Sequence, residues 1–256
     1  MKKEEFKNKI IDYQDGIIEQ RLSNTSPPPV SIISKNEYVV RETGEVRERN
    51  TPTSKYDALK TVQQQMLKAR EKIHFNSGKS LPYVWAVTVT CEDNIVNYSE
   101  GEVLQKQFLR RLKNYYPGIS YGLWRELQYE RKAWHYHYIL WRESDQLMIK
   151  KDAINNLWKN GKVHVKQLKK QEDLIDYLFY LCNYSVDYKK RKRMKKIKTL
   201  RYINANLKLF SCSQNLERPP VEYSPDRLDE GTILLSSKRK YESDGKLIPR
   251  AVMNKK

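Results

Sequence analysis

The chain has 256 residues, with 49 Lys and Arg against 31 Asp and Glu, a formal charge of +18. Such an excess argues against an ordinary metabolic enzyme and for a polyanionic partner, with nucleic acid first and an anionic membrane surface second. No apolar run approaches the ~20 residues that span a bilayer, the start MKKEEFKNKI has no signal-peptide apolar region, and Cys91, Cys182 and Cys212 form neither a C-x-x-C pair nor a disulfide framework. The expectation is a soluble, cytoplasmic protein with no membrane partner.

Residues 1–80 read as an N-terminal extension. Their first fifty are polar and charged around Pro27-Pro28-Pro29 and bury little. A basic helix follows from Lys55 to about Phe75, rich in good helix formers. The segment Asn76-Ser77-Gly78-Lys79-Ser80 looks like the end of a phosphate-binding loop, but Ile73 stands where the first glycine of that loop belongs. A P-loop is therefore rejected, and with it a built-in ATP-driven motor.

Residues 81–215 read as the core domain. Tyr83 to Cys91 is a strong strand. EVLQKQFLRRLKNYY is an amphipathic helix ended by Pro117-Gly118. Ile119 to Gln128 is a second strand, and after the turn YERKA the strand Trp134–Trp141 returns antiparallel to it. QLMIKKDAINNLWKNG is a helix stopped at Gly161, KVHVKQL a fourth strand, and Glu172 to about Lys190 a helix rich in tyrosine. The order strand, helix, strand, strand, helix, strand, helix predicts an α+β fold, a ferredoxin-like or RRM-like antiparallel sheet with helices packed on one face. Beyond it lie the basic run YKKRKRMKKIK and a polar C-terminal extension, 216–256.

Alternation along WHYHYILW puts His135 and His137 on one face and Trp134, Tyr136, Tyr138 and Leu140 on the other. Two imidazoles two residues apart on a strand can reach one metal ion; two satisfied histidines in a buried strand are the plain alternative. Glu126, on the preceding strand, sits across from them if the turn is tight. The three together form an open site for a divalent cation that binds oxygen and nitrogen, with Gln128 and Glu130 as weaker substitutes. Tyr177, Tyr180, Tyr184 and Tyr188 fall in one sector of the last helix. They read either as amphipathic packing or as phenolic nucleophiles toward a phosphodiester.

With the two-histidine strand, Glu126 and the tyrosine helix in place, the chain resembles the HUH endonuclease superfamily, in particular rolling-circle replication initiators of small phages and plasmids. The matching pieces are VWAVTVTC, FLRRLKN, RELQYERKAWHYHYIL, LWKNGKVHV, IDYLFYLCNY and LFSCSQNLERPP, about residues 82 to 220. The resemblance implies that His135, His137 and Glu126 bind Mg²⁺ or Mn²⁺. It also implies that a tyrosine attacks a phosphodiester of single-stranded or hairpin origin DNA, leaving a 5′-phosphotyrosine and a free 3′-OH, and that the strand is later rejoined. The tyrosine motif departs from the family's pattern, since Asn183 stands where a lysine is usual. Tyr180 is favoured as nucleophile, with Tyr184 a possible second and Tyr177 the main rival. Arg110, Arg111, Lys189, Lys190, Arg191 and Arg193 are the expected phosphate contacts. A bacterial or archaeal host is implied, with its helicase and polymerase as further partners. The alternatives are a transposase or relaxase of the same superfamily, and a non-catalytic single-stranded nucleic-acid-binding module.

Overall fold

A computed structural model describes residues 6–24, 27–143, 146–184 and 191–224, with short strands at 233–236, 241–243, 246–248 and 252–255. The chain divides into two compact units, one of residues 53–218 and one of residues 1–52 together with 219–256. The helix assigned from sequence to the N-terminal extension thus belongs with the core, and the two extensions form one unit.

In the unit of the two termini, strands Phe6–Asp12 and Ile17–Asn24 form a hairpin, flanked by Val221–Ser224 on one side and Val252–Lys255 on the other. Gly16, at φ +89, gives the turn a left-handed backbone that L residues resist. Ile11, Tyr13 and Ile17 are buried, and Tyr13 donates to the buried Glu19 carboxylate at 2.6 Å. The polar composition of the first fifty residues conceals this because the partner strands come from the far end of the chain.

The unit 53–218 contains a five-stranded sheet of β1 (Val84–Cys91), β2 (Ser120–Leu127), β3 (Trp134–Trp141), β4 (Gly161–Leu168) and β5 (Phe210–Cys212), in the order β5-β2-β3-β1-β4. All neighbours are antiparallel. The four strands expected from sequence take the ferredoxin-like order, and β5 adds an edge strand that was not foreseen.

Five helices accompany the sheet: α1 (Leu59–Ser77), α2 (Tyr98–Tyr115), α3 (Lys151–Trp158), α4 (Gln171–Cys182) and α5 (Arg191–Thr199). Asn97 caps α2, its side chain accepting from Ser99 N–H at 2.8 Å. Phe108 of α2 meets Tyr138 edge-on at 5.4 Å between ring centroids and Trp158 of α3 at 5.5 Å. The crossover helices α2 and α3 therefore cover the face of Tyr136 and Tyr138, as a ferredoxin-like sheet requires.

The opposite face is covered too, which corrects the expectation of helices on one face only. Val62, Met66, Ala69 and Ile73 line the buried side of α1 at helical spacing. This helix comes so close to β2 that a Cβ on Gly122 would lie 2.8 Å from Ile73 Cδ1. Beside α1 lies α4, whose Tyr177 reaches the residues around His137. The helix ends at Cys182, well before Lys190, because Asn183 turns to extended backbone.

Candidate active site

The ladder registers set the site. Across β2 and β3, Glu126 pairs with His135 and Trp124 with His137; across β3 and β1, His135 pairs with Thr90 and His137 with Thr88. Residues in such rows project to the same face. His135, His137, Glu126, Thr88 and Thr90 therefore converge on the side of the sheet that carries α4.

Each imidazole is held from behind by a threonine. His135 Nδ1 lies 2.7 Å from Thr90 Oγ1, and His137 Nδ1 lies 3.1 Å from Thr88 Oγ1. In the tautomer in which Nδ1–H donates to the hydroxyl, the Nε2 lone pair of each ring is left for a cation. Burial lowers the pKa of both rings, that of His137 well below the ordinary histidine value. Neutral rings of this kind suit metal ligation. Sequence reasoning missed both threonines, although their alternation in VTVTC was the available sign.

Glu126 Oε2 is buried, 3.7 Å from His137 Nε2 and 3.2 Å from Lys196 Nζ. Two neutral imidazoles and one carboxylate make a nitrogen and oxygen donor set that fits Mg²⁺ or Mn²⁺. Among the described residues, no three His, Cys, Asp or Glu stand grouped for metal ligation as they lie, and the ammonium of Lys196 supplies the positive charge beside the carboxylate. The weaker substitutes differ in position. Gln128 Nε2 reaches 3.5 Å from His135 Nδ1, whereas Glu130 lies in the exposed turn and pairs with Lys195.

Above the imidazoles stands α4. Tyr177 Oη is 3.4 Å from Thr88 Oγ1 and 3.5 Å from His137 Nδ1, and the Tyr180 ring lies 6.1 Å from the His137 ring. Tyr180 is 57% exposed and Tyr184 only 4%. Burial pushes the Tyr177 and Tyr184 phenols up to about 12. It raises Tyr180 as well, with Glu126 adding to the rise and Lys196 opposing it. Tyr184 lies past the end of α4, its backbone carbonyl held by Gln63 at 2.9 Å. Tyr188, counted in the same helical sector, lies outside the described residues.

The basic run, read as a charged tail, is partly helix α5. Ile197 and Leu200 are buried at helical spacing, which turns Lys196 inward. Its ammonium donates to the Leu181 carbonyl at 2.8 Å, satisfying one of the orphan acceptors at the end of α4. It also lies 4.6 Å from the Tyr184 ring centroid and 5.6 Å from that of Tyr180. Burial depresses the Lys196 pKa, but the Glu126 carboxylate outweighs it and the net shift is upward.

The expected phosphate contacts are scattered. Arg110 is exposed on α2, and Arg111 of the same helix donates to the Trp158 carbonyl at 3.4 Å. That helix covers the face away from the imidazoles, so neither residue joins the site. Lys189 and Lys190 lie outside the described residues. Arg191 and Arg193 begin α5, but their side chains also lie outside them. Nearer the site is a ledge absent from the sequence reading. Lys132 Nζ sits 4.7 Å from the Tyr129 ring and 4.0 Å from the Tyr202 ring, with Lys195 Nζ 5.7 Å from Tyr129. Both tyrosines are exposed.

No helix among the described residues is long and apolar enough to cross a membrane. Cys91, Cys182 and Cys212 are free, and burial raises all three thiols, Cys182 to about 11, which disfavours a thiolate nucleophile. No curated protein and no solved structure matches the chain. Residues 84–189, from the start of β1 to beyond α4, match the family model of replication-associated proteins of the ORF2 type. That span contains Glu126, both histidines and the three tyrosines, and over it the chain is similar to proteins of DNA replication.

Proposed function

We propose that this protein initiates rolling-circle replication by nicking origin DNA through metal-dependent tyrosine transesterification, in the manner of HUH endonucleases. The observation that carries the reading is the convergence of two neutral, threonine-backed imidazoles, a buried carboxylate and an exposed tyrosine on one face of a rigid sheet. The similarity of residues 84–189 to replication-associated proteins supports the process.

His135, His137 and Glu126 would hold Mg²⁺ or Mn²⁺. Such an ion, when bound, supplies Lewis-acid stabilisation to a phosphodiester. Tyr180 is the nucleophile because its phenol is the accessible one. Its oxygen forms a bond to phosphorus as the bond from phosphorus to the 3′ oxygen breaks; the phenol loses a proton and the departing 3′ oxygen gains one. The energy of the broken bond is kept in the 5′-phosphotyrosine, so the strand can be rejoined without ATP. Single-stranded or hairpin DNA presents a phosphate to this face, and the exposed Tyr129 and Tyr202 beside Lys132 offer stacking surfaces for unpaired bases. Host helicase and polymerase complete the reaction sequence in a bacterial or archaeal cytoplasm.

The test is incubation of the pure protein with labelled single-stranded DNA from its own replicon, in Mn²⁺ or EDTA, followed by denaturing electrophoresis and peptide mapping. A Mn²⁺-dependent covalent band that maps to Tyr180 and is lost in His135→Ala is expected. Binding with no adduct on any origin-derived strand would instead favour a non-catalytic single-strand-binding module.

A further inference from the structure

We propose that Lys196 is the internal counter-cation of this site: its ammonium neutralises Glu126 when no divalent ion is bound and is displaced toward the DNA phosphate when one binds. The inference rests on the metal site proposed above and extends it to a residue on a helix outside the sheet.

A carboxylate oxygen buried beside two neutral imidazoles needs a positive partner, because an uncompensated charge in such a place is strongly unfavourable. Lys196 is that partner at 3.2 Å. Its Cα is anchored by the buried Ile197 and Leu200 of α5, and its Nζ is fixed by the Leu181 carbonyl and the faces of Tyr184 and Tyr180. The charged and titratable groups around it are Glu126, His135, His137, Tyr180, Tyr184 and Cys182.

A divalent ion ligated by Glu126 would bring two positive centres to the same oxygen at close range, where like charges repel strongly. The ammonium must then leave. With its Cα anchored, its four-carbon stem lets it travel a few ångströms. The outward path passes Tyr180, the exposed tyrosine. Displacement therefore carries a positive charge from the carboxylate to the side where a phosphodiester would meet that phenol. Metal binding and phosphate binding are coupled by a single side chain, and Lys196 acts as a positioning residue.

The test is calorimetric titration of Mn²⁺ into the full-length protein without DNA, comparing the native chain with Lys196→Met, Lys196→Gln and His135→Ala. Removal of the competing ammonium should tighten Mn²⁺ binding about tenfold or more in both Lys196 variants, a coupling of ordinary allosteric size. His135→Ala should lose it. In parallel, reductive methylation of the native protein, mapped at Lys196, should be slow in EDTA and several-fold faster in Mn²⁺; this arm needs no substitution and holds if the variants fail to fold. Equal or weaker Mn²⁺ binding in folded Lys196 variants, or equal labelling in both conditions while Mn²⁺ binds the native protein through His135, would overturn the counter-cation and leave the metal site standing. No Mn²⁺ binding by the native protein, or full binding by His135→Ala, would overturn both.

Discussion

Lys196 Nζ on α5 lies 3.2 Å from Glu126 Oε2 on β2, so a cation from the most basic stretch of the chain sits beside a buried carboxylate of the central sheet. The pair ties the end of α4 to the imidazole face, because the same ammonium holds the Leu181 carbonyl. Tyr177 and Tyr180 are thereby presented to His137 from a helix whose last turn is pinned.

The two rival nucleophiles separate by exposure. Tyr180→Phe is expected to lower covalent adduct formation with origin DNA by more than ~10³-fold, since nothing replaces the attacking oxygen. Tyr177→Phe should keep adduct formation within about tenfold, as its hydroxyl contacts Thr88 and His137 at 3.4 and 3.5 Å and acts as a support. Peptide mapping of the adduct checks both, and the reverse pattern would move the nucleophile to Tyr177.

Thr90→Val removes the hydroxyl 2.7 Å from His135 Nδ1 while keeping the side-chain volume. Loss of a partner that orients a ligating imidazole costs about 10–100-fold in metal affinity. Titration with Mn²⁺ should show that weakening with little change in thermal stability. An unchanged affinity would mean that the hydroxyl does not orient the ring.

The pH dependence of stability follows from the imidazoles. Their folded pKa values lie below the ordinary value, near 6.5 in an unfolded chain. Below about pH 6.5 the unfolded chain takes up protons that the folded one refuses. Their contribution to stability is thus complete above that value and falls away as the pH drops toward the lowered folded values. Urea denaturation of the metal-free protein from about pH 7 to about pH 5 should show this decline, and His135→Asn with His137→Asn should flatten it. A native curve no steeper than that of the double variant would contradict the assignment.

Packing on the far face is tested at Gly101, where an added Cβ would collide with Tyr136 Oη, while Trp134 atoms at 3.4 and 3.5 Å are in ordinary contact. Gly101→Ala should destabilise by about 1–3 kcal/mol, the usual cost of overpacking. Tyr136→Phe in the same background should recover part of it. A double-mutant cycle by chemical denaturation measures the coupling, and strict additivity would place the strain elsewhere.

For DNA, Tyr202→Ala should weaken binding of a single-stranded oligonucleotide by about 1–3 kcal/mol, the worth of one stacked base. Lys132→Ala should lower the salt slope of binding by about 0.7, the value for one phosphate on a single strand. Arg110→Ala, on the opposite face, should change neither. Fluorescence anisotropy across a salt series checks all three; a large effect of Arg110→Ala with none from Lys132→Ala would put the DNA on the α2 side.

Several features were legible because they depend only on the period of one element. Alternation along WHYHYILW put His135 and His137 on one face, and the short link to β2 set Glu126 opposite His135. The order of strands and helices was enough to predict the ferredoxin-like sheet. Others were invisible for a definite reason. Tyr184 was counted with the α4 tyrosines from spacing, but the helix stops at Cys182 and the ring is buried beneath Lys196. Arg110 and Arg111 were chosen for charge, and charge carries no information about which side of the sheet its helix covers.

By itself, then, the sequence determined which side of its own strand or helix each residue takes, because covalent geometry repeats at 2.0 or 3.6 residues. Only the tertiary structure decided that α1 and α4 cover the imidazole face, that Thr88 and Thr90 stand behind the rings, that the two termini share a sheet, and that Lys196 points inward to Glu126. Each of these joins elements far apart in the chain, and each depends on which buried polar group must find a partner once water has been excluded.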